Sequence, residues 1–242
     1  MTKTALILGG TKGLGLALAG EGTCNRGIGR AVIVGRSRFH QLHYPYNSEL
    51  LTLDLTDPES VEQLARRRPE PFDYIFWVAG NFHRGALDRM PSDKIDKMIA
   101  THLSGPVRSL QLLHLSLHYT LRHPYHLVTI ASTSSWRMRE NETLYCALKA
   151  AKAAFTRNFA RELVRDLPGS KVTLVNPGGI KTNLFEGTNT DTSNFMLPNV
   201  VAKIIWDEME IQEGPFKEIQ IMRNDDGSPS VFYGSKTPES PF

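Results

Sequence analysis

The sequence has little cysteine and no long apolar run, and both absences narrow the class of protein. Cysteine occurs only at Cys24 and Cys146 in 242 residues. Two thiols so far apart cannot build a dense disulfide framework or a four-cysteine zinc site, so a reducing compartment is expected. No apolar run approaches the eighteen or so residues of a membrane span, and residues 5–8 are too few for a signal-peptide core. We therefore expect a cytoplasmic protein without membrane or targeting segments.

An excess of one charge is also missing. The chain carries 28 Lys and Arg against 25 Asp and Glu, a formal net charge of +3. So small an excess does not predict a nucleic-acid partner, and none is expected. Hydrophobic residues make up 40% of the chain and charged residues 22%, which is typical of a globular protein long enough to bury a large core.

The sequence does contain a regular alternation of two kinds of segment. Short apolar runs end in glycine or small polar residues, and longer segments with helical spacing separate them. We predict strands at residues 4–8, 31–34, 50–53, 72–78, 126–131, 171–175 and 218–222, and helices at 14–19, 58–67, 92–121, 143–167 and 200–211. The pattern predicts an α/β fold with a doubly wound, mainly parallel seven-stranded sheet of Rossmann type and helices on both faces.

The sequence also predicts a break in the longest helix and the end of the folded domain. The helix at 92–121 is expected to break near Gly105 and Pro106, because both residues interrupt helices. Residues 1–223 are expected to form one domain. Residues 224–242 are rich in turn-forming residues and have no period, so we expect an irregular tail there.

A glycine-rich loop follows the first predicted strand and precedes the first predicted helix. It reads Gly9-Gly10-Thr11-Lys12-Gly13-Leu14-Gly15. Glycines permit a tight turn and let the backbone approach a pyrophosphate at the helix N-terminus. The position between strand and helix, more than the glycines alone, indicates a dinucleotide-binding loop.

The spacing of Gly9, Gly13 and Gly15 resembles that of the short-chain dehydrogenase/reductase family. Further pieces follow in the family's order: Asp54 after the third strand, Ala79-Gly80 after the fourth, Tyr145-x-x-x-Lys149 opening a helix, and the run 176–182 after the sixth. The resemblance implies that an NAD(P) dinucleotide is bound by Gly9, Thr11, Lys12, Gly13, Leu14, Gly15, Arg36, Asp54, Ala79, Gly80, Pro177, Gly178, Ile180 and Thr182.

The same resemblance implies a catalytic set. Tyr145 would exchange a proton with the substrate oxygen, Ser132 would hydrogen-bond that oxygen, with Ser134 as the alternative serine, and Lys149 would hold the nicotinamide ribose. Tyr145 and Lys149 lie one turn apart on a helix, so the ammonium is expected to lower the pKa of the phenol.

Two positions depart from the family pattern. Relatives usually carry Asn-Asn-Ala-Gly after the fourth strand, whereas this chain has Trp77-Val78 before Ala79-Gly80. Relatives also place an asparagine in the long helix where this chain has His102, which removes a member of the family's proton relay. His102 either substitutes in that relay, as a group with an ordinary pKa of about 6.5, or is only a helix histidine.

The end of the second strand bears on the choice of cofactor, because the adenosine ribose lies there. The chain offers Arg36 and Arg38 and no acidic residue, and Lys12 lies in the glycine loop. An acid would bind a free 2′-hydroxyl, whereas guanidinium groups complement a 2′-phosphate. NADP(H) is therefore expected in preference to NAD(H).

These features predict an NADP(H)-dependent oxidoreductase that acts on a small-molecule carbonyl or secondary alcohol. One alternative is a reductase of 3-oxoacyl thioesters, and another is a catalytically weak dinucleotide-binding regulatory protein. No metal site is predicted, because no cysteine or carboxylate within sequence reach completes the pair His114 and His118. A second apolar stripe on the long helix, at Leu112, Leu115 and Tyr119, indicates either burial on two sides or a homodimer or homotetramer interface.

Overall fold

The predicted sheet is present and has one strand more than expected. A computed structural model describes residues 2–37, 45–67 and 71–236. Its strands are β1 (Lys3–Leu8), β2 (Ile28–Gly35), β3 (Ser48–Thr52), β4 (Tyr74–Trp77), β5 (His126–Ile130), β6 (Lys171–Pro177), β7 (Phe216–Arg223) and β8 (Pro229–Tyr233). They form one sheet in the order β3-β2-β1-β4-β5-β6-β7-β8. Strands β1 to β7 are parallel, and β8 is antiparallel to β7, so the predicted fold class is confirmed.

Helices cover both faces of this sheet. They are α1 (Gly13–Asn25), α2 (Pro58–Arg67), α3 (Ser92–Ile99), α4 (Gly105–Leu115), α5 (Thr143–Asp166) and α6 (Pro198–Glu210). One apolar core joins Leu6 and Leu8 of β1 to residues of α2, α4 and α5, and a second joins Ala5 and Ile7 to α1 and α6. Alternate residues of β1 thus enter opposite cores, which is why this strand is apolar without a break from Ala5 to Leu8.

The expectation of an irregular C-terminal tail is wrong for residues 229–233. Here β8 pairs with β7 from Ile219↔Tyr233 to Arg223↔Pro229, after a turn in which Asn224 N–H donates to the Ser228 carbonyl. The sequence correctly predicts the turn but does not predict the strand, because Pro229 and Ser230 are poor strand residues. They are tolerated since β8 is the edge strand and starts at the proline.

The expected helix break at Gly105 and Pro106 is also wrong. α3 and α4 are joined by a π-helical turn at Ala100–Ser104, and a second π turn at Ser116–Leu121 extends the helix. Gly105 N–H donates to the Ala100 carbonyl, and Pro106 stands in the first turn of α4, where its missing N–H costs little. A Cβ at Gly105 would lie 1.8 Å from the Leu55 carbonyl oxygen, so the glycine serves a close approach between helix and loop.

The carboxyl ends of the parallel strands lie along one edge of the sheet. The loops after β1, β4, β5 and β6 meet there and surround a cavity. This edge is where parallel α/β sheets place their ligands. Within the described ranges, none of the helices has the length and apolarity needed to cross a bilayer.

Candidate active site

The cavity at the carboxyl edge has a volume of about 750 Å³. Among the residues that the sequence analysis assigned to cofactor or catalysis, all but Gly15 line it. Gly15 lies behind the glycine loop, where a Cβ would be 2.4 Å from the Gly9 carbonyl oxygen and 2.7 Å from Gly10 Cα. Its part is to let α1 approach the loop closely.

The glycine loop has the shape and polarity that a dinucleotide needs. Gly9 and Gly13 have positive φ values of 89° and 53°, and a Cβ at Gly9 would lie 2.5 Å from Ala79 Cα. α1 begins at Gly13, and no described side chain caps it and no acid lies in its first turn. Its first N–H groups therefore face the cavity without an internal acceptor, which is the arrangement that binds a phosphate.

Arg36 and Asp54 lie together at the other end of the cavity. Asp54 Oδ1 accepts from the backbone N–H of Thr56 at 2.9 Å and from its hydroxyl at 2.8 Å. The remaining oxygen lies 3.9 Å from Arg36 Nη1, and both side chains are partly exposed. Arg36 is thus held loosely and can reach an anion, and exposed Lys12 lines the same cavity. Arg38 lies outside the described residues.

Tyr145 and Ser132 meet at the inner end of the cavity. Tyr145 lies in the first turn of α5, and Ser132 follows β5 in extended conformation, its Oγ accepting from Ser134 N–H at 3.1 Å. Burial raises the pKa of Tyr145, and a hydrogen bond with Ser132 opposes this rise. The expectation that Lys149 lowers this pKa is therefore not met in the protein alone, because burial outweighs any effect of the ammonium. The phenol is protonated at neutral pH.

Lys149 lies on the same face of α5, one turn after Tyr145. Its Nζ is 5.6 Å from the centre of the Tyr145 ring and donates to the Ile130 carbonyl at 3.3 Å. Burial lowers the pKa of Lys149 to about 8. A lysine with this pKa gains and loses a proton readily near neutral pH.

His102 is fully buried in the π turn, and its Nε2 faces the backbone of Asn81. The nitrogen lies 2.6 Å from the Asn81 carbonyl oxygen and 3.0 Å from its N–H, and Nδ1 has no hydrogen-bond partner within the described ranges. Burial, with the charges of Lys149 and Lys152, holds the pKa of His102 well below its usual 6.5. The ordinary pKa expected from the sequence is therefore wrong, and the imidazole is neutral.

Lys152 was missed by the sequence analysis. It is fully buried, its Nζ donates to the carbonyls of Ala79 at 3.0 Å and Ile130 at 3.4 Å, and it lies 4.6 Å from the Trp77 ring centre. Trp77 is buried under α5 and does not line the cavity. Positions 145, 149 and 152 share one helical face, but this spacing alone does not show that Lys152 is buried.

Aromatic side chains form one wall beside Tyr145. Phe82 packs edge-on against Tyr145 at 4.9 Å between ring centres, and Phe185 contacts Phe82 and Phe195, each at 5.1 Å. Phe82 was not singled out by the sequence, since a lone aromatic residue in a loop carries no motif. The wall offers an apolar surface next to the Tyr145 ring.

Comparison with known proteins agrees with this geometry. The family model of the short chain dehydrogenases matches residues 3–193. The 3-oxoacyl-[acyl-carrier-protein] reductase of Vibrio harveyi is 28% identical over 215 residues, covering 86% of each chain. An uncharacterized oxidoreductase of Staphylococcus epidermidis is 26% identical over 195 residues, covering 77% of this chain and 82% of the relative.

Solved structures agree in fold. An alcohol dehydrogenase from Thermococcus sibiricus, complexed with 5-hydroxy-NADP, superposes with a TM-score of 0.75 at 21% identity, covering 90% of this chain and 95% of that one. A short chain dehydrogenase/reductase family protein superposes with a TM-score of 0.76 at 21% identity, with coverages of 91% and 95%. Because the family model spans most of the chain and the sheet order and cavity agree with it, this protein belongs to the short-chain dehydrogenase family of oxidoreductases.

Proposed function

We propose that the protein transfers hydride between NADP(H) and the carbonyl or secondary alcohol of a small molecule. The observation that carries this proposal is that Ser132, Tyr145 and Lys149 share one cavity with the glycine loop and the uncapped start of α1. When bound, the dinucleotide supplies or accepts the hydride. The aromatic wall at Phe82 and Phe185 suits a substrate whose carbonyl is attached to an apolar body.

The residues at the inner end would handle the proton and the substrate oxygen. Tyr145 is protonated at neutral pH, which is the form that donates to a carbonyl oxygen during reduction. Ser132 would hold the same oxygen by a hydrogen bond. Lys149, with its pKa near 8, would bind the ribose hydroxyls and return a proton to Tyr145.

Replacement of Tyr145 by Phe tests the catalytic assignment. The variant keeps the ring and loses the proton donor, so we expect turnover of a reactive aldehyde or diketone to fall by at least about 10²-fold. NADPH binding, measured by fluorescence titration, is expected to stay within a few-fold of the wild type. Wild-type turnover in Tyr145→Phe would refute the role of Tyr145.

Replacement of Arg36 by Asp tests the choice of cofactor. A carboxylate would repel a 2′-phosphate and accept from a 2′-hydroxyl, so the ratio of kcat/KM for NADPH to that for NADH is expected to fall by at least tenfold. Arg66→Asp is the matched control, because exposed Arg66 pairs with Glu62 in α2 and does not line the cavity. An unchanged ratio in Arg36→Asp would remove Arg36 as the selector.

Reduction of a 3-oxoacyl thioester is the second candidate function. The relative from Vibrio harveyi supports it, and so do three exposed arginines that line the cavity, Arg84, Arg139 and Arg223, because a basic rim would suit an acidic carrier protein. Parallel assays with a carrier-bound 3-oxo thioester and with a diketone would separate the two candidates. If wild-type protein binds NADPH and turns over neither, the regulatory alternative takes their place.

The proposal includes an oligomer and a reducing compartment. Leu115 and Tyr119 are 45% and 69% exposed on the outer side of the long helix, which supports a contact between copies rather than burial on two sides. Cys24 and Cys146 are both free thiols, as expected in the cytoplasm. Light scattering on the purified protein would give the number of copies.

A further inference from the structure

The structure brings a carboxylate to the histidine pair of the long helix. His114 lies in α4, His118 lies in the π turn Ser116–Leu121, and Asp166 ends α5. No metal site is expected from the sequence, because no such carboxylate lies near the two histidines along the chain, but the fold brings one close to them from α5. Asp166 is 52 residues from His114 in the chain, yet its Oδ2 lies 3.3 Å from His114 Nε2. One ligand atom from each of the three residues falls within 4.8 Å of the others.

We propose that His114, His118 and Asp166 bind one Zn²⁺ ion, with water as the fourth ligand. Two imidazoles and a carboxylate suit zinc, whereas magnesium and calcium prefer oxygen ligands alone. With zinc–ligand distances of about 2.0–2.1 Å in a tetrahedron, neighbouring ligand atoms lie about 3.3 Å apart. His114 and Asp166 already have this separation, and half-buried His118 can rotate its side chain to join them.

Neighbouring side chains hydrogen-bond two of the proposed ligands and fix their orientation. The Tyr125 hydroxyl lies 3.3 Å from His114 Nδ1. Without a metal, His114 Nε2–H donates to Asp166 Oδ2 and Nδ1 accepts from Tyr125. With zinc on Nε2, the ring proton would lie on Nδ1 and donate to the Tyr125 oxygen. Arg165 Nε donates to Asp166 Oδ1 at 2.7 Å, so the other carboxylate oxygen, Oδ2, faces His114. Partners of this kind fix the orientation of metal ligands in proteins.

His114 and Asp166 also have the protonation that a metal requires. Burial lowers the pKa of His114 below its usual 6.5, so the imidazole is neutral at neutral pH. The hydrogen bond from Arg165 lowers the pKa of Asp166, so the carboxylate is ionised. Zinc binding therefore needs little proton release from either group.

The position of the site indicates a structural role. Tyr125 directly precedes β5, so the cluster lies at the amino edge of the sheet, opposite the cavity with Tyr145. An ion there would join the end of the long helix to the end of α5. The site is independent of hydride transfer, and its test reads metal binding and stability.

The experiment titrates Zn²⁺ into untagged, metal-free, full-length protein by calorimetry and repeats the titration with Co²⁺, read by absorption. We expect one Zn²⁺ per chain and the intense visible bands of tetrahedral Co²⁺. His118→Ala and Asp166→Asn should each weaken affinity at least tenfold. Tyr125→Phe, which keeps all three ligands, should weaken it about tenfold. At a free Zn²⁺ concentration of one hundred times Kd, the Tm of the wild type should rise by roughly 5–10 °C.

His123→Ala is the matched control. His123 faces Asp73 at 3.4 Å near the same edge of the sheet. Within the described residues this pair belongs to no group of three possible metal ligands, so loss of His123 should leave Zn²⁺ affinity unchanged. Absence of stoichiometric binding by the wild type, or equal weakening in His118→Ala and His123→Ala, would overturn the proposal. If Asp166→Asn fails to fold, His118→Ala and the Co²⁺ spectrum still decide the question.

Discussion

Two buried lysines share one carbonyl beside the active site. Lys149 and Lys152 both donate to the Ile130 carbonyl, at 3.3 and 3.4 Å. Two ammonium groups so close in a buried place repel each other, and burial with the charge of Lys149 lowers the pKa of Lys152 well below its usual value. The folded protein therefore binds this proton more weakly than the unfolded chain does, and Lys152 Nζ contacts two carbonyls and the face of Trp77.

Replacement of Lys152 by Met should change how stability depends on pH. Because the pKa of Lys152 is lower in the folded protein than in the unfolded chain, unfolding takes up a proton at pH values between the two, and the free energy of unfolding rises with pH up to about 10.5. This group contributes at most about 1.4 kcal/mol per pH unit. We expect Lys152→Met to be more stable than wild type at pH 7 and to gain less stability between pH 7 and 9, as measured by urea unfolding.

Lys203→Met is the control for this change, because Lys203 is exposed and pairs with Asp207 on α6. Its slope of stability against pH should match that of the wild type. A Lys152→Met slope equal to the wild-type slope would mean that Lys152 keeps its proton in the fold.

His102 leads to a prediction opposite to the one that its sequence position favours. The pKa of His102 lies well below 6.5. The pH profile of turnover should therefore show no change near pH 6.5 that is caused by ionisation of this imidazole. Nε2 can bond only one of the two Asn81 backbone groups at a time, so His102→Leu would leave that group without its side-chain partner, at a cost of about 1–3 kcal/mol in the free energy of unfolding. The side chain in His102→Asn can again donate or accept there. A limb near pH 6.5 in the wild type that His102→Asn lacks would show that the imidazole does titrate.

At the level of elements, the contact between the glycine loop and α1 can be tested with two glycines of one helix. A Cβ at Gly15 would meet only backbone atoms, the nearest at 2.4 Å, whereas at Gly20 the nearest atom is Pro45 Cγ at 3.9 Å. Gly15→Ala should therefore lower the free energy of unfolding by about 1–3 kcal/mol and weaken NADPH binding. Gly20→Ala should raise it by up to about 1 kcal/mol and leave binding unchanged, as thermal melts and NADPH titrations would show.

The elements that the sequence predicts well are those whose signal is local. Strands β1 and β5 are mainly apolar because helices cover both of their faces, and the glycine loop is contained within seven residues. Lys152 could not be found in this way, because its burial depends on carbonyls 73 and 22 residues away. Asp166 was missed beside His114 for the same reason, and β8 was missed because an edge strand tolerates residues that the strand pattern excludes.

At the scale of the whole molecule, the cavity depends on parts from most of the chain. Its lining runs from Gly9 after β1 to Arg223 at the end of β7. Whether residues 1–223 unfold as one domain remains a prediction, which a single calorimetric transition would support.

The central position of β1 has a consequence for synthesis on the ribosome. β1 pairs on one side with β2, which follows closely, and on the other with β4, which begins at Tyr74. Until β4 has emerged, one edge of β1 exposes unpaired backbone beside Leu6, Ile7 and Leu8, all of which are fully buried in the finished fold. An open apolar edge readily pairs with the wrong chain. The strand that presents the glycine loop at the middle of the cleft is therefore also the segment most exposed to aggregation while the nascent chain is incomplete.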